Sequence, residues 1–304
     1  MQLKAADDKQ PDIAALEALL ARPDIDARTK RSLEDEIWSI REGAKAERDA
    51  AYEIEFHLGD NPHFVTIHDL RLDIEGHVAQ IDHLVVSPVL EVFVCESKRF
   101  GAGVKINELL GTTFRDRRPV GVPSPLEQNK RHIAVLERAV KLGSIQPPKR
   151  MGLLPLKPTF VSRVLIGTGA SITRPRRKVA ELDAVVKVDQ FRTRLLERDI
   201  SNAAMLKLVW GDTLERFGRQ FVALHTPHRV DWAARFGLDR GSPTPSVPAR
   251  PSVGAQGKVE SSARPPWRVK YDGPCSRCGR ILPKGTPAVW DQSIRKMRCI
   301  DCTA

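Results

Sequence analysis

The segment from Gln80 to Lys98 constrains the chain more than any other. Two runs rich in β-branched residues are parted by Ser87-Pro88, the pattern of two strands joined by a loop of a few residues. Alternate side chains of a strand share a face. Val92, Val94, Glu96 and Lys98 therefore line one side of the second run, and Asp82, Leu84 and Val86 line one side of the first. A turn centred near Val89 sets Val86 against Val92, Leu84 against Val94 and Asp82 against Glu96. Two carboxylates then meet at the open end of an apolar ladder with Cβ atoms about 4.5 to 5.5 Å apart, and like charges held that close are destabilising. A hard divalent cation with oxygen ligands is the natural compensation. Lys98 projects beside it on the same face. Such a set suits metal-assisted phosphodiester hydrolysis: the ion neutralises charge at phosphorus and lowers the pKa of its water, and the lysine orients that water or helps deprotonate it.

Charge favours an anionic partner for such a site. The 304 residues include 49 Lys and Arg against 38 Asp and Glu, a net charge of +11, and nucleic acid is the commonest partner of so basic a chain. This length accommodates one sizeable domain plus something smaller. With 41% apolar and 29% charged residues, wholesale disorder is excluded. No run of 18 or more apolar residues occurs and Met1 to Asp8 has no apolar signal core, so the expectation is a cytoplasmic protein without a membrane segment.

Residues 11–22 have apolar positions at helical spacing, and a longer helix is expected from about Asp26 to Leu58, stopped by Gly59-Asp60-Asn61-Pro62. Periodicity alone makes Glu47 of that helix a solvated glutamate. A strand over His63 to Leu72 and a turn at Glu75-Gly76-His77 lead into the hairpin, and Gly101 and Gly103 let the chain leave it sharply. Arg115, Arg117 and Arg118 form a basic loop, either solvated or a phosphate contact. The helix opened by Pro125 turns Leu126, Ile133, Leu136 and Val140 to a core. Gln128 and His132, four apart, share a face near its anion-attracting N-terminal end.

Phe160 to Ile166 and Ala184 to Val188 are expected as buried strands. Between them Arg174, Arg176, Arg177 and Lys178 form a charge run, a solvated loop or a nucleic-acid backbone contact. Helices near Gln190 to Arg198 and Ala203 to Leu224 close the domain. In the second of these Leu206, Trp210, Leu214, Phe217, Phe221 and Leu224 read as one core stripe. From 238 to 266 the composition shifts to Gly, Ser, Pro, Ala and Arg, expected as a disordered, semi-stiff tether.

The last residues carry a C-x2-C-x20-C-x2-C arrangement of Cys275, Cys278, Cys299 and Cys302. Two pairs of thiolates complete a tetrahedral zinc site at about 2.3 Å, and four thiolates close the sphere, so the zinc is structural. Ala288 to Trp290 and Lys296 to Arg298 can pair as a small hairpin between the two knuckles. Basic residues outnumber acidic ones in this zinc ribbon, which suits a nucleic-acid grip, although many such modules bind proteins. Cys95, in a strand interior, reads as a small buried hydrophobe.

Ala79 to Ser87, Val94-Cys95-Glu96-Ser97-Lys98 and Ser124-Pro125-Leu126-Glu127-Gln128-Asn129 together resemble the nuclease-related domain family, a branch of the PD-(D/E)xK restriction-endonuclease-like superfamily. The resemblance covers about residues 43 to 170. It implies an α/β fold with a mixed sheet flanked by helices, Asp82 and Glu96 as ligands of Mg2+ or Mn2+, and Lys98 as the lysine that assists the water. Glu47 resembles the helical glutamate of the family's Gly-Glu pair, with Ala46 in the glycine's place. Gln128 matches a downstream glutamine that positions metal or phosphate. Cys95 stands where isoleucine or valine is common, and Ser97 where threonine is. His83 alternates to the face opposite Asp82 and suits a packing or supporting role over catalysis, and His132 either points toward the site or, the blander reading, is a helix-surface histidine.

The expected organisation is an N-terminal helical segment (1–42), the nuclease-related domain (43–237), the linker (238–266) and the zinc ribbon (267–304). The leading reading is a Mg2+-dependent nuclease acting on DNA, its ribbon holding nucleic acid or a protein partner. The alternative is a non-catalytic nucleic-acid-binding or adaptor protein that keeps the fold.

Overall fold

Pro11 in the first turn, where its missing N–H leaves no bond unmade, opens helix α1 (Gln10–Leu20). Asp26 then caps helix α2 (Ala27–Leu58), its carboxylate accepting the Thr29 N–H at 2.7 Å, and Gly59 ends it as expected. One stripe of α2 is buried: Leu33 and Ile37 pack on Ile13 and Leu16 of α1, whereas Ala50, Ile54 and Leu58 face the sheet. The computed structural model describes residues 1–99, 103–106, 112–114, 121–176, 179–196, 206–227 and 229–238, and toward the C-terminus 267–268, 273–278, 280–282, 286–291 and 296–299.

The central sheet has six strands whose spatial order follows the chain: β1 (Gln2–Lys4), β2 (Val65–Ile74), β3 (His77–Val86), β4 (Glu91–Lys98), β5 (Thr159–Ile166) and β6 (Val185–Lys187). The β2–β3 and β3–β4 pairs are antiparallel; β1 joins β2, β5 joins β4 and β6 joins β5 in parallel, so the sheet is mixed. Glu75 and Gly76, both at positive φ (51° and 79°), make the tight turn between β2 and β3. Val86 pairs with Val92 and Leu84 with Val94, the register the alternation implies.

Helices cover both faces. Leu84, Val86, Val92 and Val94 pack against Leu136 of α3 (Pro125–Lys141) and against Phe217 and Phe221 farther along the chain. Val85, Phe93 and Cys95 point the other way, onto α2 and onto Phe191 and Leu195 of α4 (Phe191–Leu196). Cys95 is fully buried, its thiol pushed up to about 12 by burial, as suits an inert core residue. This mixed α/β sheet flanked by helices fits a nuclease-like fold.

Two expectations about packing change. Helix α5 begins only at Asp212 (Asp212–Ala223), because Gly211 at φ 55° breaks the helical path. Leu214, Phe217 and Phe221 are buried as expected, whereas Leu206 and Trp210 precede the helix and are 61% and 59% exposed. In α3, Ile133 and Val140 sit half-buried at the margin, and Asn129, His132, Val135 and Ala139 fill the middle of the buried face.

Beside the end of β4 a smaller sheet is formed by Gly103–Ile106, Thr112–Phe114, Gly121–Val122 and Ser171–Thr173. Gly103, at φ 144°, has to be glycine, since a Cβ there would fall 2.3 Å from Ser171 Oγ.

By contacts the chain separates into two units, Met1–Ser242 and Pro243–Ala304. In the second, Gly273–Pro274 pairs with Ile281–Leu282, and the Cys275 N–H donates to the Arg280 carbonyl at 2.8 Å across the turn that holds Cys278. Pro287–Asp291 and Lys296–Cys299 pair antiparallel, the hairpin expected between the knuckles. Cys275 is buried and Cys278 exposed. Cys302 lies outside the described residues. No helix among the described residues is long and apolar enough to cross a membrane.

Candidate active site

The β3–β4 ladder ends at His83 opposite Cys95, and the charged residues gather beyond it. Asp82 does not simply face Glu96: its Oδ2 accepts the Ser97 N–H at 2.7 Å. Lys98 Nζ donates to Glu96 Oε1 at 2.6 Å. Glu96 is 1% exposed, and its Oε2 is buried without a hydrogen-bond partner among the described residues. A bare buried carboxylate oxygen is costly, which makes it the point of the site most in need of a cation.

Burial raises all three carboxyls of the site. Asp82 is driven well above the carboxylate range by burial, by Glu96 and by Glu47, with only the Ser97 N–H and Lys98 opposing. Burial also raises Glu96, against Lys98 and the nearby Gln128 amide. Glu47 reads as solvated from periodicity, yet α2 carries it half-buried toward this cluster; burial, Asp69 and Glu96 raise it against Lys9 and Lys98. Lys98 loses stability as an ammonium through burial but gains more from Glu96, Asp82 and Glu47, so it holds its proton more tightly than a free lysine. In this state it is a positive charge and a donor. Abstraction of a proton from water, the other role expected of it, is closed while that pairing lasts.

Asn129 anchors α3 beside the site, its Nδ2 donating to the Val94 and Arg163 carbonyls (3.1 and 2.8 Å) and to Ser162 Oγ at 3.1 Å. That attachment holds Gln128 near Glu96. His132, one turn on, is 8% exposed and not on the surface as expected. His83 points to the opposite face, where its Nε2 lies 2.7 Å from Ser97 Oγ.

Two clefts reach this cluster. One of about 260 Å³ opens at Lys98 and is lined by Lys45, Asp49, Arg99 and the 167–170 turn; Arg99 pairs with Glu42 at 2.6 Å. The other, about 290 Å³, reaches Glu47 past Lys9, Asp69 and Gln80. Lys9 is ion-paired with Asp69, which is 4% exposed and at φ 50°. Asp69 interrupts the β2–β3 ladder between His68↔His83 and Leu70↔Ile81, opposite Asp82. An aspartate inside an apolar strand was the available signal for it; nothing local marks Lys9.

Of the basic residues expected to touch nucleic acid, Arg174 donates to the Val185 carbonyl and Arg176 is exposed. Arg115, Arg117, Arg118, Arg177 and Lys178 lie outside the described residues. Among the described residues no group of three or more His, Cys, Asp or Glu side chains is arranged to hold a metal ion.

Residues 42–165 match the family model of the nuclease-related domain, a span that contains Glu47, Asp82, Glu96, Lys98 and Gln128. The PD-(D/E)xK superfamily is consistent with that match. Neither the curated proteins nor the solved structures give a match.

Proposed function

We propose that the protein is a divalent-metal-dependent phosphodiesterase that cleaves DNA. The observation carrying this reading is the buried cluster of Asp82, Glu96 and Lys98, with Glu96 Oε2 unpartnered among the described residues, inside a segment that matches a nuclease-related family. Mg2+ is often held by only one or two carboxylates, with waters and substrate phosphates completing its sphere, so Asp82 and Glu96 suffice as the protein's share. Burial raises both carboxyls and Glu96 raises Asp82 further, a burden that a divalent cation would relieve.

The ion would supply charge neutralisation at phosphorus and an acidified water. Lys98, kept cationic, stabilises negative charge developing on the phosphate. Glu47 and Gln128 orient groups around the two ligands, and Lys45 and Arg99 give the adjoining cleft a basic lining for the strand.

Cys275, Cys278, Cys299 and Cys302 are proposed to hold a structural Zn2+, which keeps the second unit folded as a grip for nucleic acid or a protein partner. Reduced thiolates of this kind fit a cytoplasmic setting. Metal analysis of the purified chain is expected to give one zinc per molecule, lost in Cys275→Ser; no zinc in the wild type sinks the ribbon.

The hold of Lys98 on Glu96 Oε1 at 2.6 Å, which already pairs one carboxylate oxygen, suits a second reading, a nucleic-acid-binding protein that keeps the fold without catalysis. Labelled single-stranded, duplex and branched DNA incubated with Mg2+, Mn2+ or EDTA separates the two. Metal-dependent cleavage supports the enzyme; binding that falls steeply with salt, without cleavage of any substrate, supports the binder.

A further inference from the structure

On the sheet face away from the site, polar side chains stand in line inside an apolar layer. His68 and His83 are a cross-strand pair, both 1% exposed or less, with rings 4.9 Å apart and nearly perpendicular. Their Nδ1 atoms are 2.8 Å apart, so one of the two carries the hydrogen. His68 Nε2 lies 2.8 Å from Glu55 Oε1, and His83 Nε2 lies 2.7 Å from Ser97 Oγ. Ser97 is itself 6% exposed and gives its backbone N–H to Asp82.

The ends of this line set its direction. Burial raises the Glu55 carboxyl, but hydrogen bonds from His68 and Thr66 outweigh it and hold it below the usual range, so Glu55 accepts and His68 Nε2 donates. With His68 singly protonated, its Nδ1 lone pair takes the His83 Nδ1–H across 2.8 Å. His83, with its hydrogen on Nδ1, then accepts the Ser97 hydroxyl at Nε2, 2.7 Å away. Donors run one way, from Ser97 through both rings to Glu55. Every link is satisfied, whereas any one removed would strand its neighbour in the core.

The β3–β4 ladder stops at His83↔Cys95 and cannot fix Asp82 itself. We propose that Glu55, His68 and His83 are positioning residues: they anchor Ser97 so that its N–H holds Asp82 in the orientation that shares a cation with Glu96. The role of Asp82 rests on the metal-site reading above; the hydrogen-bond direction does not.

Two measurements on the full-length protein test this. Long-range 15N correlations of the histidine rings should show His68 as the Nε2–H tautomer and His83 as the Nδ1–H tautomer; a His83 protonated on Nε2 overturns the direction. Mn2+ titration should then show affinity lost about 10- to 100-fold in Ser97→Ala and restored in Ser97→Thr, which keeps the hydroxyl. Glu55→Gln, at the half-exposed end of the line, should bind Mn2+ more weakly than wild type without a matching drop in thermal midpoint. Wild-type affinity in Ser97→Ala refutes the positioning role alone. No Mn2+ binding by the wild type takes the metal-site reading down with it, whatever the tautomers.

Discussion

His132 shows how a residue read as ordinary acquires a measurable role. Its Nδ1 is buried without a hydrogen-bond partner among the described residues, and burial, Arg131 and Lys98 push it down to about 4. The unfolded chain protonates such a ring near pH 6.5, so as pH falls from there toward 4 the unfolded state takes up protons that the folded state refuses. Stability from this group is full above pH 6.5 and is lost across that window, by up to about 3 kcal/mol. Urea unfolding of His132→Asn against wild type at pH 7.5 and 4.5 should show a smaller acid loss in the variant; equal losses would mean the ring titrates normally. Both His132 and Glu47 were misread from periodicity for one reason. A helix face gives the average surroundings of a position, and neither the sheet end above Glu47 nor the depth of α3 against β4 and β5 is local information.

At the level of elements, legibility followed chemistry that acts over a few residues. The Asp26 cap, the Gly59 stop and the Glu75-Gly76 turn put α2 and the β2–β3 hairpin within a residue or two of their observed bounds. The β3–β4 register followed from alternation, because a slip of one residue would turn Val92 and Val94 from one core layer to the other. Helix α5 was extended too far because Leu206 and Trp210 continue its apolar spacing, and Gly211 outweighs that spacing. Its docking explains Gly218: a Cβ there would come within 2.7 Å of Val65 Cγ1 and 2.8 Å of Leu3 Cδ1, so the helix lies directly on β1 and β2. Gly218→Val is expected to cost about 1 to 3 kcal/mol, seen as a lower urea midpoint with an unchanged slope. An unaltered midpoint would mean that α5 does not pack there.

The whole molecule couples a basic chain of net charge +11 to a site whose own carboxyls repel one another. On the proposed function the charge would concentrate an anionic polymer at the surface, and the excess carboxylate would concentrate a cation at one point of it. Substrate form was not legible, since no element of the sequence reads base edges. The pairing of Asp82 with Ser97, and not directly with Glu96, depends on the sheet beneath and could not be read from the strands alone. The central claim is that Asp82, Glu96 and Lys98 together cleave phosphodiesters with a bound divalent ion. The most direct test compares Mg2+- and Mn2+-dependent cleavage of labelled DNA by wild type, Glu96→Gln and Lys98→Ala, with DNA affinity measured in EDTA. Loss of at least a hundredfold in rate in both variants, with affinity nearly unchanged, is the predicted result. Cleavage that survives both substitutions, or a wild type that binds DNA and never cuts it, would contradict the account.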